Sequence, residues 1–353
     1  MNPPIEPPFQ TRAQARVMLS CLVATLLLPV VLPLFGLPAR AEVYRAVPIA
    51  AGPFGYIGQE IYEQHTPIDV LLIGPSVLWN AIDARHLQSR LSAHLNRSAV
   101  VRVFGANWPG DDLTYTLLRD VLDQRQVRLV ILGLPFGNQF GDRPHVQAFR
   151  WLRLGDDPRI FEGQTVRNRA AIYAATVLGG PRQLLTRLRP NHLAADDRVG
   201  GDLGGLLSDL GFHGEPFVRI QAEPPIFSPS DMVGSNPTQG WFRVTHNNLG
   251  PYQLHFARLI GDLLRAHGLR SAVLHVPMWS DRTSDTVNEA MDWNDVLGVS
   301  IPVIGVPGGL LFAPLSPSEQ RLLYYDEHLN RNGAEYFTRA VTPAILDYFD
   351  DKR

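Results

Sequence analysis

Between residues 68 and 132 short apolar runs alternate with amphipathic stretches, and this rhythm restricts the fold more than any other feature of the chain. Residues 68–73 (Ile-Asp-Val-Leu-Leu-Ile) stop at Gly74-Pro75, the profile of a strand buried on both faces. The spacing of Leu87, Leu91 and Leu95 predicts a helix over 83–95 with Asp83 as its N-cap. A second strand is expected over 99–104. A second helix follows over 111–123, with Leu113, Leu117, Leu118 and Val121 facing inward, and a third strand over 127–132. Strands that alternate with helices imply a parallel sheet joined by right-handed crossovers. The rhythm resumes late in the chain, with a helix over 252–267, strands over 271–276 and 301–306, and a closing helix over 333–349.

Two regions depart from this pattern. Residues 141–250 read as an insertion packed over the sheet. It has helical pieces over 170–178 and 181–188 and a Gly-, Pro- and Ser-rich stretch over 200–237. At the other end, residues 1–16 form a tail carrying Arg12 and Arg16, and residues 17–37 then run without a charge. A run of about 20 apolar residues spans a bilayer as a helix, and Pro29 and Pro33 are tolerated there. Ala39-Arg40-Ala41 has the small-x-small form of an export-signal cleavage site. Two readings stay open: a cleaved signal and an uncleaved anchor. The leading arginines keep the N-terminus in the cytoplasm and put the main domain outside it, periplasmic or in the cell envelope. Cys21 starts the apolar run instead of ending it, which argues against a lipoprotein site. Residues 42–65 are expected to be a linker, with the main domain over 66–350.

Composition narrows the function classes. With 45% hydrophobic and 19% charged residues, 353 residues can bury a large core. The 32 basic and 34 acidic residues nearly cancel, which speaks against a nucleic-acid partner. Cys21 is the only cysteine, which excludes an intrachain disulfide and a cysteine-rich metal site. No metal-ligand set, Walker loop or Gly-x-Gly-x-x-Gly fingerprint occurs, and no cofactor is expected.

The chemistry concentrates in two places. Ser76, in Ile73-Gly74-Pro75-Ser76, falls at the carboxyl end of the first strand, where open α/β sheets hold their ligands. A serine there can be a nucleophile, or it can merely cap a turn. Asp326 and His328 precede the last helix in Tyr325-Asp326-Glu327-His328-Leu329-Asn330-Arg331-Asn332-Gly333-Ala334. A carboxylate beside a histidine fixes one tautomer and frees the other ring nitrogen as a base. The plainer alternative is a helix-entry loop capped by Asn330 or Asn332, with His328 solvated. Glu327 is an alternative acid. His275 ends the strand over 271–276 and is a candidate substrate contact or a satisfied sheet-end histidine. Trp108, Trp241, Trp279 and Trp293 are candidates for a sugar-binding cleft or for the core. His246, Asn247 and Asn248 read as a polar loop.

Together the two places resemble the SGNH (GDSL-like) hydrolase superfamily, and more narrowly its anchored or periplasmic branch of DltD-like and alginate-acetylation-like proteins. The resemblance covers about 66–140 and 252–350. It implies a three-layer α/β/α domain around a parallel sheet of about five strands, with an inserted helical and loop region. It implies Ser76 as nucleophile, His328 as base and Asp326 as the orienting acid. Ser76, Gly110 (in Asn107-Trp108-Pro109-Gly110-Asp111) and Asn138 (in Gly137-Asn138-Gln139) would form the oxyanion hole. Pro75 and Gln139 depart from the usual acidic residues at their positions, and a single residue separates Asp326 from His328. The function implied is an extracytoplasmic esterase or O-acyltransferase acting on acylated polysaccharide or a small ester. Trp108, His275 and Trp279 would be substrate contacts. The alternative is a non-catalytic accessory that binds a glycan or a membrane acyltransferase.

Overall fold

The computed structural model describes residues 11–31, 39–47, 53–106, 110–133, 144–145, 152, 158–175, 221–234, 240–244, 249–289 and 292–350. Its centre is a mixed sheet built as the apolar runs require. Strand β1 (Ile68–Pro75) is buried along its whole length, between β2 (Val101–Ala106) and β3 (Val127–Leu132), and pairs with both in parallel. On the far side of β3 come three strands in turn: β6 (Arg270–Leu274), β8 (Val303–Ile304) and β4 (Val233–Gly234). Five strands are parallel, and β4 closes the edge antiparallel to β8. That sixth strand comes from within the region expected to be only an insertion over the sheet. The strand expected over 301–306 shrinks to the two residues that pair with β6 and β4.

Helices cover both faces because strand side chains alternate. Leu71 and Ile73 of β1 point to one face, with helices α6 (Asp111–Gln124) and α7 (Pro251–Ala266). Val70 and Leu72 point to the other face. There α4 (Ser76–Ala81), α5 (Ala84–Leu95) and α8 (Arg331–Asp350) pack. Helix α5 begins as its sequence requires: Asp83 accepts the His86 N–H at 3.0 Å, and Leu87 and Leu91 are buried. Helix α6 starts at Asp111 and carries Leu113, Leu117, Leu118 and Val121 into the core.

Residues 42–65 are not a linker. Helices α2 (Arg40–Ala46) and α3 (Phe54–Tyr62) occupy most of that stretch. Val43, Tyr44, Phe54, Ile57 and Ile61 join the core on the α6 face. Their amphipathic spacing is too short to stand out beside the longer helices. Helix α1 (Arg12–Val31) covers most of the apolar run, and residues 32–38 lie outside the described ones. Among the described residues no helix is long and apolar enough to cross a membrane. In the insertion, a helix over 166–175 overlaps the expected piece at 170–178. The piece at 181–188 and most of 200–237 lie outside the described residues. A small parallel pair, β5 (Phe242–Val244) with β7 (Val287–Glu289), ties the end of the insertion to the loop after β6. His246, Asn247 and Asn248 lie outside the described residues.

Candidate active site

Ser76 is the first residue of α4, immediately after β1, so its hydroxyl sits at the carboxyl edge of the parallel strands. Two glycines make room for so tight a strand-to-helix turn. A Cβ on Gly105 of β2 would lie 2.3 Å from the Trp79 Cβ, and one on Gly133, directly after β3, 2.5 Å from the Leu78 Cβ. Both positions must lack a side chain for α4 to lie against the sheet. Trp79 and Leu78 are buried there, fixing the helix that carries Ser76.

His328 comes from the opposite end of the chain. Strands β9 (Tyr324–Tyr325) and β10 (His328–Leu329) form an antiparallel hairpin whose two-residue turn is Asp326-Glu327. Asp326 takes a left-handed φ of +53°, a conformation that Asp tolerates better than most residues. Asn330 joins the hairpin to α8. Its Oδ1 accepts from the N–H groups of Asn332 at 2.9 Å and Gly333 at 3.2 Å, and its amide donates to the Leu322 carbonyl at 2.9 Å. The capping role expected of Asn330 or Asn332 thus falls to Asn330. His328 is not left in solvent: its Nε2 lies 2.9 Å from Ser76 Oγ, across 252 residues of sequence.

The electrostatics of His328 come from three sources. Burial pushes its imidazole below the ordinary value, and the charges of Asp326 and then Glu327 hold it up in part. The two acids differ in what they touch. Asp326 is exposed and, among the described residues, makes no side-chain hydrogen bond, so it acts on His328 through charge. The Glu327 carboxylate accepts from both the backbone N–H and the hydroxyl of Ser280, each at 3.1 Å. The Trp279 N–H donates to the Glu327 carbonyl at 3.4 Å, and Tyr324 donates to the Pro277 carbonyl at 3.0 Å. The loop after β6 therefore clamps the hairpin. Sequence reasoning missed this role of Glu327 and Ser280, since nothing in a lone Ser280 marks it.

The other expected site residues fall as follows. Gly110 is buried and caps α6 after β2, whose last residue, Ala106, is in register with Pro75. It therefore stands at the same sheet edge as Ser76. Asn138 and Trp108 lie outside the described residues. His275 follows β6, is buried, and donates its backbone N–H to the Ile304 carbonyl at 2.8 Å. Trp279 stands against the hairpin, its ring centroid 5.4 Å from that of Tyr324 in an edge-on contact. The Arg282 guanidinium lies 3.9 Å from the Trp279 ring and that of Arg321 5.1 Å. Trp279 is half-buried and packs against both guanidinium groups. Trp293 is fully buried and belongs to the core.

Next to Gly110 lies an acidic pair that the sequence pattern had placed only as a helix start. Asp111 and Asp112 are both buried. Asp112 accepts from the Tyr252 hydroxyl at 2.9 Å and the His145 N–H at 2.7 Å. Among the described residues neither Asp111 carboxyl oxygen has a hydrogen-bond partner. Burial and then the Asp112 charge push Asp111 up to about 8, so it is largely neutral at pH 7. Among the described residues no group of three His, Cys, Asp or Glu side chains could hold a metal ion. No protein-family model matches the chain, and no curated protein sequence matches it.

Proposed function

We propose that the protein is an extracytoplasmic serine esterase or O-acyltransferase with an SGNH-like fold, acting on acyl groups, acetyl foremost, of an envelope or exported polysaccharide. The observation that carries this reading is the Ser76 Oγ to His328 Nε2 contact of 2.9 Å at the carboxyl edge of the parallel strands. Ser76 Oγ attacks the ester carbonyl carbon while its proton passes to His328 Nε2. The tetrahedral oxyanion collapses, the ester C–O bond breaks, and His328 returns the proton to the leaving alcohol oxygen. Water or a sugar hydroxyl then attacks the acyl carbon as His328 takes its proton, the bond from that carbon to Ser76 Oγ breaks, and His328 returns the proton to Oγ. The negative charges of Asp326 and Glu327 favour the transient imidazolium. The N–H groups of Ser76 and Gly110 are the oxyanion donors in this reading, with the Asn138 amide as a third. Each such donor is worth about 3–4 kcal/mol of barrier.

The extracytoplasmic location rests on the uncharged run 17–37 behind Arg12 and Arg16, and on the apolar side chains that α1 exposes. One observation favours the second reading, a non-catalytic accessory that binds a glycan or a membrane acyltransferase: Asp326 stands exposed without a hydrogen bond to His328. Turnover of a small activated acetyl ester decides between the two. Wild type should hydrolyse it and Ser76→Ala should not, while both remain folded. A folded wild type without turnover, even on acetylated polysaccharide, favours the accessory.

A further inference from the structure

We infer that Tyr325 forms the alcohol side of the site built on Ser76 and His328, its ring taking the sugar that carries the ester. The inference rests on the proposed esterase or acyltransferase reading and adds to it the residue that selects a sugar over a smaller alcohol.

The placement follows from the hairpin. Its two-residue turn sets Tyr325 directly opposite His328, and Tyr324 opposite Leu329. Directly paired residues of an antiparallel hairpin share a face, with Cβ atoms about 5 Å apart. Neighbours along one strand point to opposite faces. Tyr324 and Leu329 turn into the core and are 6% and 2% exposed. Tyr325 and His328 therefore share the outer face, and on that face His328 Nε2 meets Ser76 Oγ at 2.9 Å. Tyr325 stands beside the candidate base, one strand away, and is 43% exposed.

The hairpin is held from its inner face. The Tyr324 hydroxyl donates to the Pro277 carbonyl at 3.0 Å, and its ring lies edge-on to Trp279 and Phe312 at 5.4 and 5.8 Å. The Asn330 N–H donates to the Leu323 carbonyl at 2.8 Å. None of these contacts uses the Tyr325 ring. An aromatic side chain presented on a fixed element gives a ligand a large contact area at little cost in freedom. Outside α1, the exposed large apolar residues among the described ones include two aromatics, Tyr173 and Tyr325. Tyr173 donates its hydroxyl to the Leu26 carbonyl of α1. Tyr325 is the one that stands at the candidate active site.

The chemistry gives Tyr325 its side of the ester. In the proposed reaction the carbonyl oxygen turns to the N–H groups of Ser76 and Gly110. His328 Nε2 hands its proton to the leaving oxygen, so that oxygen must come within about 3 Å of the ring nitrogen. The alcohol, and not the acyl group, is therefore what lies next to the residue paired with His328. An acceptor hydroxyl in the second step gives its proton to the same nitrogen and enters by the same side. A pyranose suits this place, because one face of its C–H bonds can lie on the apolar face of a Tyr ring. Trp279, the tryptophan expected to do this, packs against Tyr324 on the opposite face of the hairpin.

The test compares two acetyl donors on the full-length protein in detergent. Glucose pentaacetate has a pyranose as its leaving alcohol, and vinyl acetate has a leaving group without a ring. Acetate release gives kcat/KM for each, and their ratio cancels any change in His328 or in the hairpin as a whole. Tyr325→Ala should lower the ratio of sugar donor to vinyl donor about tenfold, mainly through a higher KM for the sugar ester, as for loss of one aromatic contact. Tyr325→Phe should keep the wild-type ratio. An unchanged ratio in Tyr325→Ala overturns the inference. A Tyr325→Phe ratio as low as that of Tyr325→Ala also overturns it, since the effect then belongs to the hydroxyl and not to the ring. Wild type active on vinyl acetate alone overturns the inference and leaves the serine chemistry standing. Wild type that turns over neither donor ends the proposed activity and the inference with it, an outcome distinct from an unchanged ratio in an active enzyme.

Discussion

Replacing Gly105 by alanine tests whether the packing under α4 sets the position of Ser76. The added Cβ would fall 2.3 Å from Cβ and 2.6 Å from Cγ of Trp79. These are the root atoms of a buried side chain, not a flexible tip, so rotation about χ1 brings little relief. Ordinary carbon contact needs about 3.5–4.0 Å, so Trp79 must retreat by more than about 1 Å. Trp79 shares the six-residue helix α4 with Ser76, and the helix moves with it. Overpacking of this kind costs about 1–3 kcal/mol of stability. A displacement of about 1 Å at a reacting atom costs about 10²-fold in rate. Gly105→Ala should therefore lower the unfolding midpoint and, separately, slow acylation of Ser76 by about two orders of magnitude in the protein that remains folded. Gly55→Ala serves as control: it lies in α3 with nothing within 4 Å of its added Cβ, and it should stabilise by about 0.5–1 kcal/mol. A Gly105→Ala protein with wild-type midpoint and wild-type acylation would refute the packing argument.

Three further outcomes follow from the site. The acid limb of kcat/KM should lie below the ordinary imidazole value of about 6.5, because burial lowers His328. Asp326→Asn removes an anion that favours the imidazolium, so it should move the limb further to acid; movement to higher pH contradicts the electrostatics. Asp111 holds its proton up to about 8 when folded but releases it near 4 when unfolded, so its contribution to stability is lost as pH rises through that window. Asp111→Asn should accordingly flatten the dependence of the unfolding midpoint on pH between about 5 and 8. Ser280→Ala should lower kcat several-fold by loosening the hairpin, Glu327→Ala should lower it further because it also removes a charge that favours the imidazolium, and the double variant should be no worse than Glu327→Ala alone, as for partners in one interaction. Additive losses would mean that the two act separately.

The α/β class and the parallel core were legible because β1, β2 and β3 are buried runs with helical spacing between them. The antiparallel edge strand was not: Val233–Gly234 is two residues long and takes its strand form from pairing with β8. Helices α2 and α3 were hidden for a related reason. They are short, and what defines them is contact with α6, which local spacing does not encode. Ser76 and His328 could be singled out as residue types at element ends. The order of the acids was harder to read. Sequence offers Asp326 and Glu327 side by side, and only the hairpin turn decides that Asp326 stands exposed at a positive φ while Glu327 meets Ser280. The buried Asp111 was equally silent, since an acidic residue in a helix's first turn ordinarily signals solvent and a favourable dipole.

The central claim is that Ser76 is a nucleophile activated by His328, and covalent labelling tests it most directly. The full-length protein in detergent would be treated with a fluorophosphonate, and the modified residue mapped by mass spectrometry. The account predicts one label per chain, on Ser76, absent in Ser76→Ala and slowed by at least about 10²-fold in His328→Ala while both variants stay folded. No label on folded wild type, a label on another residue, or full-rate labelling in His328→Ala would contradict it.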